Sequence, residues 1–358
     1  MRRFASVLLA AALTTSHVIA EDSLVAHQRD WGVMATTLDI AVYRPASEAA
    51  LASVDLDAAY AEILAIDRAM SLYRADSELV AINSKDQGHP VSLSEPMFEV
   101  LSAAADFGAI SGGDFDISIQ PLVNAWGFYH VKRARMPESK LIDEARQRVG
   151  RLTWSLNAND RTVTLKPGTR FDLGGIAKGY AIDRAIALLR ARQVPAALVN
   201  LGGNIAVLGQ APGGRPWVVG IEHPRKPKLM GQIRLWSGAV ATSGDYDRYF
   251  EMKGQRYNHI IDPRTGWPVK GIYSLTVVAP NATTADALST AAFVLGPKRG
   301  LDLIRQQESA GAVVVEPQTS ELGEALVVTR THDVKISKQF EITIYPDPKI
   351  QNQTMNAE

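Results

Sequence analysis

The 358-residue sequence contains no cysteine, and its 38 lysine and arginine residues are balanced by 38 aspartate and glutamate residues. The lack of cysteine excludes disulfide bonds, thiolate metal sites, iron–sulfur clusters, cysteine nucleophiles and cysteine-linked lipids. A formal net charge of zero argues against a nucleic-acid partner, because neutralising phosphates requires a surplus of basic residues. The length and the 46% share of hydrophobic residues are typical of a folded protein with a substantial core.

Residues 1–20 have the pattern of an export signal. Arg2 and Arg3 precede a short apolar run, and small residues lie close to Ala20. This pattern predicts a signal peptide cleaved after Ala20, with a cytosolic amphipathic start as the alternative. The run is too short to span a bilayer, and no later segment has ~20 unbroken apolar residues. We therefore expect a periplasmic protein that is soluble, lacks a lipid anchor and has no membrane span.

The spacing of apolar residues predicts a mixed succession of helices and strands. Helices are predicted at 47–70, from Ser94 as N-cap to about 112, and at 137–149, 176–192, 284–295 and 298–308. Strands are predicted at 36–43, 161–165, 197–208, 217–222, 232–241, 249–261, 274–279, 312–315, 325–330 and 340–345. Strands in groups between helices favour an α+β fold with mixed or antiparallel sheets over a doubly wound sheet. The polar tail from Pro346 is expected to fray.

Residues 171–179 (FDLGGIAKG) join a predicted strand end to a helix through two glycines. Glycine lets a backbone approach a ligand closely, and a helix N-terminus presents free N–H groups to anions. Lys178 would add a positive charge beside a phosphate. The spacing matches neither the Walker loop nor the dinucleotide fingerprint, and a tight turn that uses glycine for packing remains an alternative.

Residues 283–290 (TTADALST) combine a predicted helix start with two oxygen-bearing side chains. With Thr283 or Thr284 as the cap, Asp286 lies in the first turn and shares a helix face with Thr290. A carboxylate beside a hydroxyl suits Mg²⁺, although carbonyls, waters or phosphates would have to complete the coordination. An aspartate placed to stabilise the helix dipole is the structural alternative.

Residues 257–266 (YNHIIDPRTG) place His259 at a strand end, ahead of a turn that begins at Asp262. A general base could be held rigidly there, while a histidine that packs on a hairpin is the alternative. Residues 113–116 (GDFD) and 121–128 (PLVNAWGF) could line a slot for a flat ring, or their aromatic side chains could belong to the core. No serine-hydrolase elbow, HExxH helix or glycosidase carboxylate pair can be identified.

Taken in this order, the motifs resemble the FAD:protein FMN transferases over residues 31–312. The blocks that carry the resemblance are 34–36, 73–83, 113–128, 172–183, 199–203, 242–249, 259–266 and 285–290. Ala35 replaces the glycine of the family's usual Met-Gly-Thr, and the chain lacks the cysteine that bears a lipid in many members. The resemblance implies a T-fold-like architecture, with a transferase domain of one or two lobes over 21–316 and C-terminal strands and a polar tail over 317–358.

The resemblance also implies a reaction and the residues that serve it. FMN would pass from FAD to a Thr or Ser hydroxyl of an acceptor flavoprotein with an FMN-binding domain, forming a phosphoester and releasing AMP. The residues implied in FAD binding are Met34, Tyr73, Phe115, Asp116, Asp172, Lys178, Ser243 and Ile260. Mg²⁺ would be held by Asp286, Thr290 and the carbonyl of Gly175. His259 is the expected base, and Asp262 either orients it or serves the turn.

Two alternatives to transfer remain at this stage. A metal-dependent FAD pyrophosphatase would release FMN and AMP with water as the nucleophile. A periplasmic FAD-binding protein would hold the same molecule without turnover.

Overall fold

A computed structural model describes residues 23–84, 88–129, 135–320, 323–331, 339–347 and 349–355. The predicted signal peptide over residues 1–20 lies outside the described residues. Within them, helices and mostly antiparallel sheets alternate in groups, which confirms the predicted α+β class. None of the described helices is long and apolar enough to cross a membrane.

The described residues form eight α-helices. These are α1 Ala49–Met70, α2 Glu78–Ser84, α3 Glu95–Ile110, α4 Gln120–Ala125, α5 Ser139–Arg146, α6 Ala177–Ala191, α7 Ala282–Leu295 and α8 Pro297–Arg305. Ser94 caps α3 as predicted, since its side chain accepts a hydrogen bond from the Met97 N–H. The cap predicted for α7 is wrong: the side chain of Asn281 accepts from the Thr284 N–H at 2.8 Å. Asp286 therefore lies in the second turn of α7.

The described residues also form seventeen strands. These are β1 Leu24–Val33, β2 Thr36–Pro45, β3 Val91–Ser92, β4 Trp154–Asn157, β5 Thr162–Leu165, β6 Ala196–Leu201, β7 Asn204–Leu208, β8 Trp217–Glu222, β9 Leu229–Leu235, β10 Gly238–Gly244, β11 Tyr249–Met252, β12 Gln255–Asn258, β13 Ser274–Ala279, β14 Gly311–Ser320, β15 Gly323–Thr331, β16 Phe340–Ile344 and β17 Ile350–Met355. Nine of them build one sheet in the order β1-β2-β6-β7-β10-β13-β14-β15-β17. A three-stranded sheet has the order β16-β9-β8, another has the order β3-β5-β4, and β11 pairs with β12.

Several predicted strand boundaries are wrong because turns lie inside continuous apolar runs. The predicted strand 197–208 is the hairpin β6–β7, which turns at Gly202 and Gly203 with φ values of +61° and +92°. The predicted strand 232–241 divides between β9 and β10 near Gly238, whose φ is +100°. Glycine adopts this left-handed region without a steric penalty, so the chain can reverse there.

The nine-stranded sheet lies between two hydrophobic cores. Neighbouring residues on β6 face opposite ways: Val199 belongs to the core under the helices, while Leu198 belongs to the core under β8, β9 and β16. Helices α1, α6 and α7 cover the first face, and the three-stranded sheet covers the second. A third, smaller core surrounds the fully buried Trp126.

The C-terminal strands are paired with strands from earlier in the chain. β14 runs through residue 316 and pairs with β13, while β16 pairs with β9. The expected fraying after Pro346 is wrong over residues 350–355, because β17 pairs in parallel with β15. β17 is hard to recognise from the sequence because residues 351–354 are polar and exposed, while Ile350 packs in the second core.

Candidate active site

A cavity of about 860 Å³ opens beside the ends of several sheet strands and is called the central cavity here. Its walls come from the β1–β2 turn, the α1–α2 connection, the segment before α6, the end of β10 and the residues after β12. All predicted site residues except Asp262 line it. The fold thus gathers motifs that lie more than 250 residues apart in the chain, from Met34 to Thr290.

The predicted metal ligands meet on one wall of the central cavity. Asp286 is almost fully buried, and its Oδ2 accepts a hydrogen bond of 2.9 Å from the Gly179 N–H. Its Oδ1 lies 3.4 Å from the ammonium of Lys178. A Cβ atom on Gly175 would lie 3.1 Å from Thr290 Oγ1, so this turn approaches Thr290 closely because it lacks a side chain.

The junction of α6 and α7 holds this wall in place through Asp183, a residue that sequence reasoning did not single out. Its carboxylate accepts hydrogen bonds of 2.8 Å from both the Ala282 and Thr283 N–H groups at the start of α7. Gly179 allows the close contact, since a Cβ there would lie 2.2 Å from the Ala282 carbonyl oxygen. No local signal marks these two residues, because their partners lie about 100 residues away.

Ser243 connects β10 to the same wall. Its hydroxyl lies 2.9 Å from Ser289 Oγ and 3.5 Å from Thr290 Oγ1. The Ser289 hydroxyl in turn donates to the Asp286 main-chain carbonyl at 2.9 Å. A row of hydroxyl groups therefore runs from the sheet to the second turn of α7.

An aromatic pair forms a second part of the cavity wall. The rings of Tyr73 and Tyr129 meet edge to face with centroids 6.4 Å apart. The Tyr129 hydroxyl donates to Asp172 Oδ2 at 2.6 Å, and burial, followed by the negative charge of Asp172, raises the Tyr129 pKa well above its ordinary value. Asp172 Oδ1 accepts from the Gly174 N–H at 2.7 Å, which shapes the turn before α6. Tyr73 is 56% exposed, so its ring lies at the mouth of the central cavity.

Other residues of the expected flavin slot are more buried. Phe115 is 3% exposed and packs in the first core, while Trp126 is fully buried in the third. Core packing is thus confirmed for these two rings, although the edge of Phe115 still reaches the central cavity. Asp116 Oδ1 accepts hydrogen bonds from the Ser118 N–H at 2.8 Å and its hydroxyl at 2.6 Å. Burial raises the Asp116 pKa despite these bonds.

His259 directly follows β12 and lines the central cavity. Its N–H donates to the Arg248 carbonyl at 3.0 Å, and its Nδ1 lies 3.2 Å from the same oxygen. Because a carbonyl can only accept, Nδ1 carries the proton of the neutral ring and Nε2 is left as the basic nitrogen. Burial, followed by the positive charge of Arg248, lowers the His259 pKa to about 4, so the ring is neutral at pH 7. Ile260 follows as a buried residue of the same wall.

Asp262 makes the contacts of a turn residue. Its Oδ1 accepts from the Arg264 N–H at 2.8 Å, and its two oxygens each receive a 3.0 Å hydrogen bond from the Arg264 guanidinium. Among the described residues, no hydrogen bond joins Asp262 to His259; the ring is held by the Arg248 carbonyl. Arg248 was not singled out from the sequence, because its role depends on a main-chain atom.

The donor set on the Asp286 wall fits a hard cation. The Asp286 carboxylate and the Thr290 hydroxyl are oxygen donors of the kind that Mg²⁺ prefers, and the main chain of Gly175 lies close to Thr290. Among the described residues there is no group of three histidine, aspartate or glutamate side chains that could form a closed cage. An open set of this kind leaves positions for water and substrate phosphates, as Mg²⁺ sites commonly do.

Comparison with known proteins gives consistent matches over most of the chain. The family model described as the ApbE family matches residues 34–314. The FAD:protein FMN transferase of Haemophilus influenzae is 31% identical over 324 residues, covering 88% of this chain and 94% of the relative. That of Treponema pallidum is 35% identical over 321 residues, covering 83% and 86%.

Solved structures agree with the sequence matches. The crystal structure of the ApbE protein from Thermotoga maritima has a TM-score of 0.76 and 33% identity, covering 84% of this chain and 96% of that one. The flavin transferase ApbE from Vibrio cholerae has a TM-score of 0.73 and 27% identity, covering 85% and 97%.

The fold and the central cavity therefore define a flavin-transferring enzyme of the α+β class. The chain belongs to the ApbE family, whose curated relatives are FAD:protein FMN transferases. This membership confirms the family resemblance that the ordered motifs indicated.

Proposed function

We propose that this enzyme transfers FMN from FAD to a Thr or Ser hydroxyl of an acceptor flavoprotein with an FMN-binding domain, through a phosphoester bond, and releases AMP in a Mg²⁺-dependent reaction. The observation that carries the proposal is the meeting of three groups in one cavity. A neutral histidine, a cationic side chain and an open oxygen site for a metal all line the central cavity, which also has aromatic walls. These are the parts that phosphoryl transfer from a flavin nucleotide to a hydroxyl requires.

His259 acts as the base in the proposed reaction. Its Nε2 takes the proton of the acceptor hydroxyl, and the hydroxyl oxygen forms a bond to the phosphorus on the FMN side of FAD. The bond from that phosphorus to the bridging oxygen breaks, and AMP leaves with this oxygen. The proton is then released to AMP or to solvent, so atoms and charge balance.

Asp286, Thr290 and the Gly175 carbonyl are the residues that would hold the metal. When bound, Mg²⁺ supplies charge neutralisation for the pyrophosphate and for the leaving AMP. Lys178 already lies 3.4 Å from Asp286 Oδ1, so its ammonium adds positive charge at the same place. We assign the flavin ring to the side of the cavity formed by Met34, Tyr73 and the Phe115–Asp116 segment.

Export to the periplasm through residues 1–20 also stays a proposal, together with the absence of a lipid anchor. The division into a transferase domain over 21–316 and a C-terminal extension over 317–358 is likewise a proposal. Strand β14 crosses this boundary, so the two parts share a sheet.

Mass spectrometry of the acceptor tests the proposed function. The mature enzyme is incubated with FAD, Mg²⁺ and an acceptor flavoprotein domain that the Haemophilus influenzae relative flavinylates in vitro. We expect the acceptor to gain the mass of FMN less one water, and AMP to appear in equal amount.

Asp286→Asn should lower transfer at least 100-fold because the metal site loses its carboxylate charge, while FAD binding persists. His259→Gln should lower transfer 100-fold or more with FAD and metal both bound.

Controls separate transfer from the alternatives. The Haemophilus influenzae relative on the same acceptor is the positive control, and chelation of Mg²⁺ is the negative one. No mass gain with a competent control would contradict the proposal. AMP release that proceeds at the same rate without an acceptor would indicate hydrolysis of FAD. If His259→Gln transfers normally, His259 is structural and another group is the base.

A further inference from the structure

Strand β8 is an edge strand that borders the central cavity. In the three-stranded sheet of order β16-β9-β8, β8 pairs with β9 and with no other strand of the described part of the chain. Four consecutive residues, from Val219 to Glu222, line the central cavity. Gly220 has only main-chain atoms, so the cavity reaches the main chain of β8 at that position. Ile233 of β9 also lines the cavity, which therefore extends across the inner face of the small sheet as well.

The C-terminal end of this edge and the loop that holds His259 line the same cavity. Glu222, the last residue of β8, is part of this wall, and burial, followed by the negative charge of Asp247, raises its pKa. Asp247 and the adjacent Arg248 both line the central cavity, and the Arg248 carbonyl fixes the ring of His259. A chain that follows β8 to its end therefore enters the cavity that His259 also lines.

We propose that β8 is the docking edge for the acceptor protein. The acceptor segment that carries the hydroxyl binds in extended form as a fourth strand of this sheet, next to β8. The inference rests on the proposed function, because the second substrate of a protein FMN transferase is itself a protein and must enter the cavity that contains His259. Unpaired N–H and C=O groups of an edge strand are a ready template for such a segment.

The dimensions of β8 suit a short extended segment. Its six residues span about 20 Å. In an antiparallel sheet, every second residue directs its N–H and C=O to one side, so about three residues of β8 present pairs of main-chain groups to the acceptor. Val218 is 43% exposed and adds an apolar contact beside the edge.

Hydrogen exchange of the full-length mature enzyme tests the docking edge. The enzyme is saturated with FAD and Mg²⁺ and mixed with the acceptor domain flavinylated by the Haemophilus influenzae relative, with its modified Thr replaced by Val. We expect amide exchange over residues 217–222 to slow at least 10-fold when this acceptor binds. The edge strand β17, which does not line the central cavity, is the matched control and should be unchanged.

Two further measurements keep the outcomes distinct. The unaltered acceptor is tested in parallel for its gain of FMN mass. If amide exchange at residues 217–222 does not slow when the acceptor is added, the docking proposal is overturned, whether or not transfer occurs. Transfer without such slowing leaves the proposed function intact, whereas slowing without transfer supports docking and contradicts the function.

A benzoylphenylalanine photocrosslinker at Val218 should capture the acceptor, while the same group at Leu152, which is 86% exposed, should not. Equal capture at both positions contradicts the proposal.

Discussion

At the scale of single residues, Arg248 connects the two sides of the central cavity. Its main-chain carbonyl contacts both the N–H and the Nδ1 of His259, and its guanidinium donates to the Tyr73 hydroxyl at 3.2 Å. The carbonyl sets the ring orientation whatever side chain residue 248 carries, whereas the guanidinium adds positive charge near the ring. Substitution of the Arg248 side chain therefore removes the positive charge near the His259 ring and keeps the carbonyl that orients the ring.

We expect the acid limb of the pH profile of kcat/KM to lie near pH 4 rather than 6.5, because burial and then Arg248 lower the His259 pKa to about 4. A lowered pKa keeps the ring neutral, and so active as a base, as the pH falls through 6.5. Arg248→Met removes the second-largest of the causes that lower the His259 pKa and leaves burial and the charge of Lys178, so the limb should move part of the way up toward 6.5. Tyr73→Phe is the control, since it removes the hydrogen bond and keeps the charge. An unchanged limb in Arg248→Met would refute this role of Arg248.

The turn between β1 and β2 contains two non-glycine residues with positive φ, Met34 at 51° and Ala35 at 57°. This conformation costs an ordinary residue about 1–2 kcal/mol, while glycine loses about 0.5–1 kcal/mol through its greater freedom in the unfolded chain. Ala35→Gly should therefore raise the free energy of unfolding by about 0.5–1 kcal/mol, measured in urea. Ala41→Gly, in regular strand β2, should lower it. A loss of stability in both variants would show that the turn is not strained.

At the scale of secondary-structure elements, the α6–α7 junction positions the candidate metal site. Lys178 lies in the first turn of α6 and Asp286 in the second turn of α7, and they meet because Gly179 permits close approach. Asp183 strengthens the contact between the two helices, because its carboxylate accepts hydrogen bonds from two N–H groups at the start of α7. The site is therefore built from the relative position of two helices.

Asp183→Ala should lower the free energy of unfolding by about 2 kcal/mol, because several hydrogen bonds to the start of α7 are lost together. Mg²⁺ should also bind more weakly, since α7 carries Asp286 and Thr290. Thermal unfolding and metal titration by calorimetry measure the two effects. Asp183→Asn keeps one acceptor oxygen and should have a smaller effect on both. Normal metal affinity in Asp183→Ala would contradict the positioning role.

At the scale of the whole molecule, the C-terminal strands complete the second core. β16 pairs with β9, and its residue Phe340 is 8% exposed. A Cβ atom on Gly311 of β14 would lie 2.6 Å from the Phe340 ring, so this ring joins the three-stranded sheet to the nine-stranded one. The edge strand β8, on the other side of β9, depends on the same small sheet.

Phe340→Ala should lower the free energy of unfolding by about 3 kcal/mol, because it opens a cavity between the two sheets. The neighbouring Glu341 is exposed and lies 3.8 Å from Arg234, so Glu341→Ala should change stability by less than about 1 kcal/mol. Urea unfolding of both variants provides the comparison. Equal losses would show that the ring does not support the sheet interface.

Much of the fold could be predicted where patterns are local. The amphipathic spacing of α1 and α6 and the apolar run of β13 locate these elements, and Ser94 marks the start of α3. The two edge strands of the nine-stranded sheet were missed or misjudged because their partners, rather than their own side chains, define them: β1 is half-exposed and β17 is polar. Hairpins inside apolar runs were missed for the opposite reason, since strands on both sides of Gly202 are buried.

The sequence by itself determined the α+β class and the ordered motifs that indicate the ApbE family, because residue types and their spacing are carried along the chain. Only the tertiary structure decided which atoms meet. It bonded the Asp183 carboxylate to the start of α7, oriented the His259 ring by the Arg248 carbonyl instead of Asp262, and placed residues 219–222 of β8 in the wall of the central cavity. These contacts join residues by main-chain atoms and packing, and such partners leave no mark in the spacing of side chains.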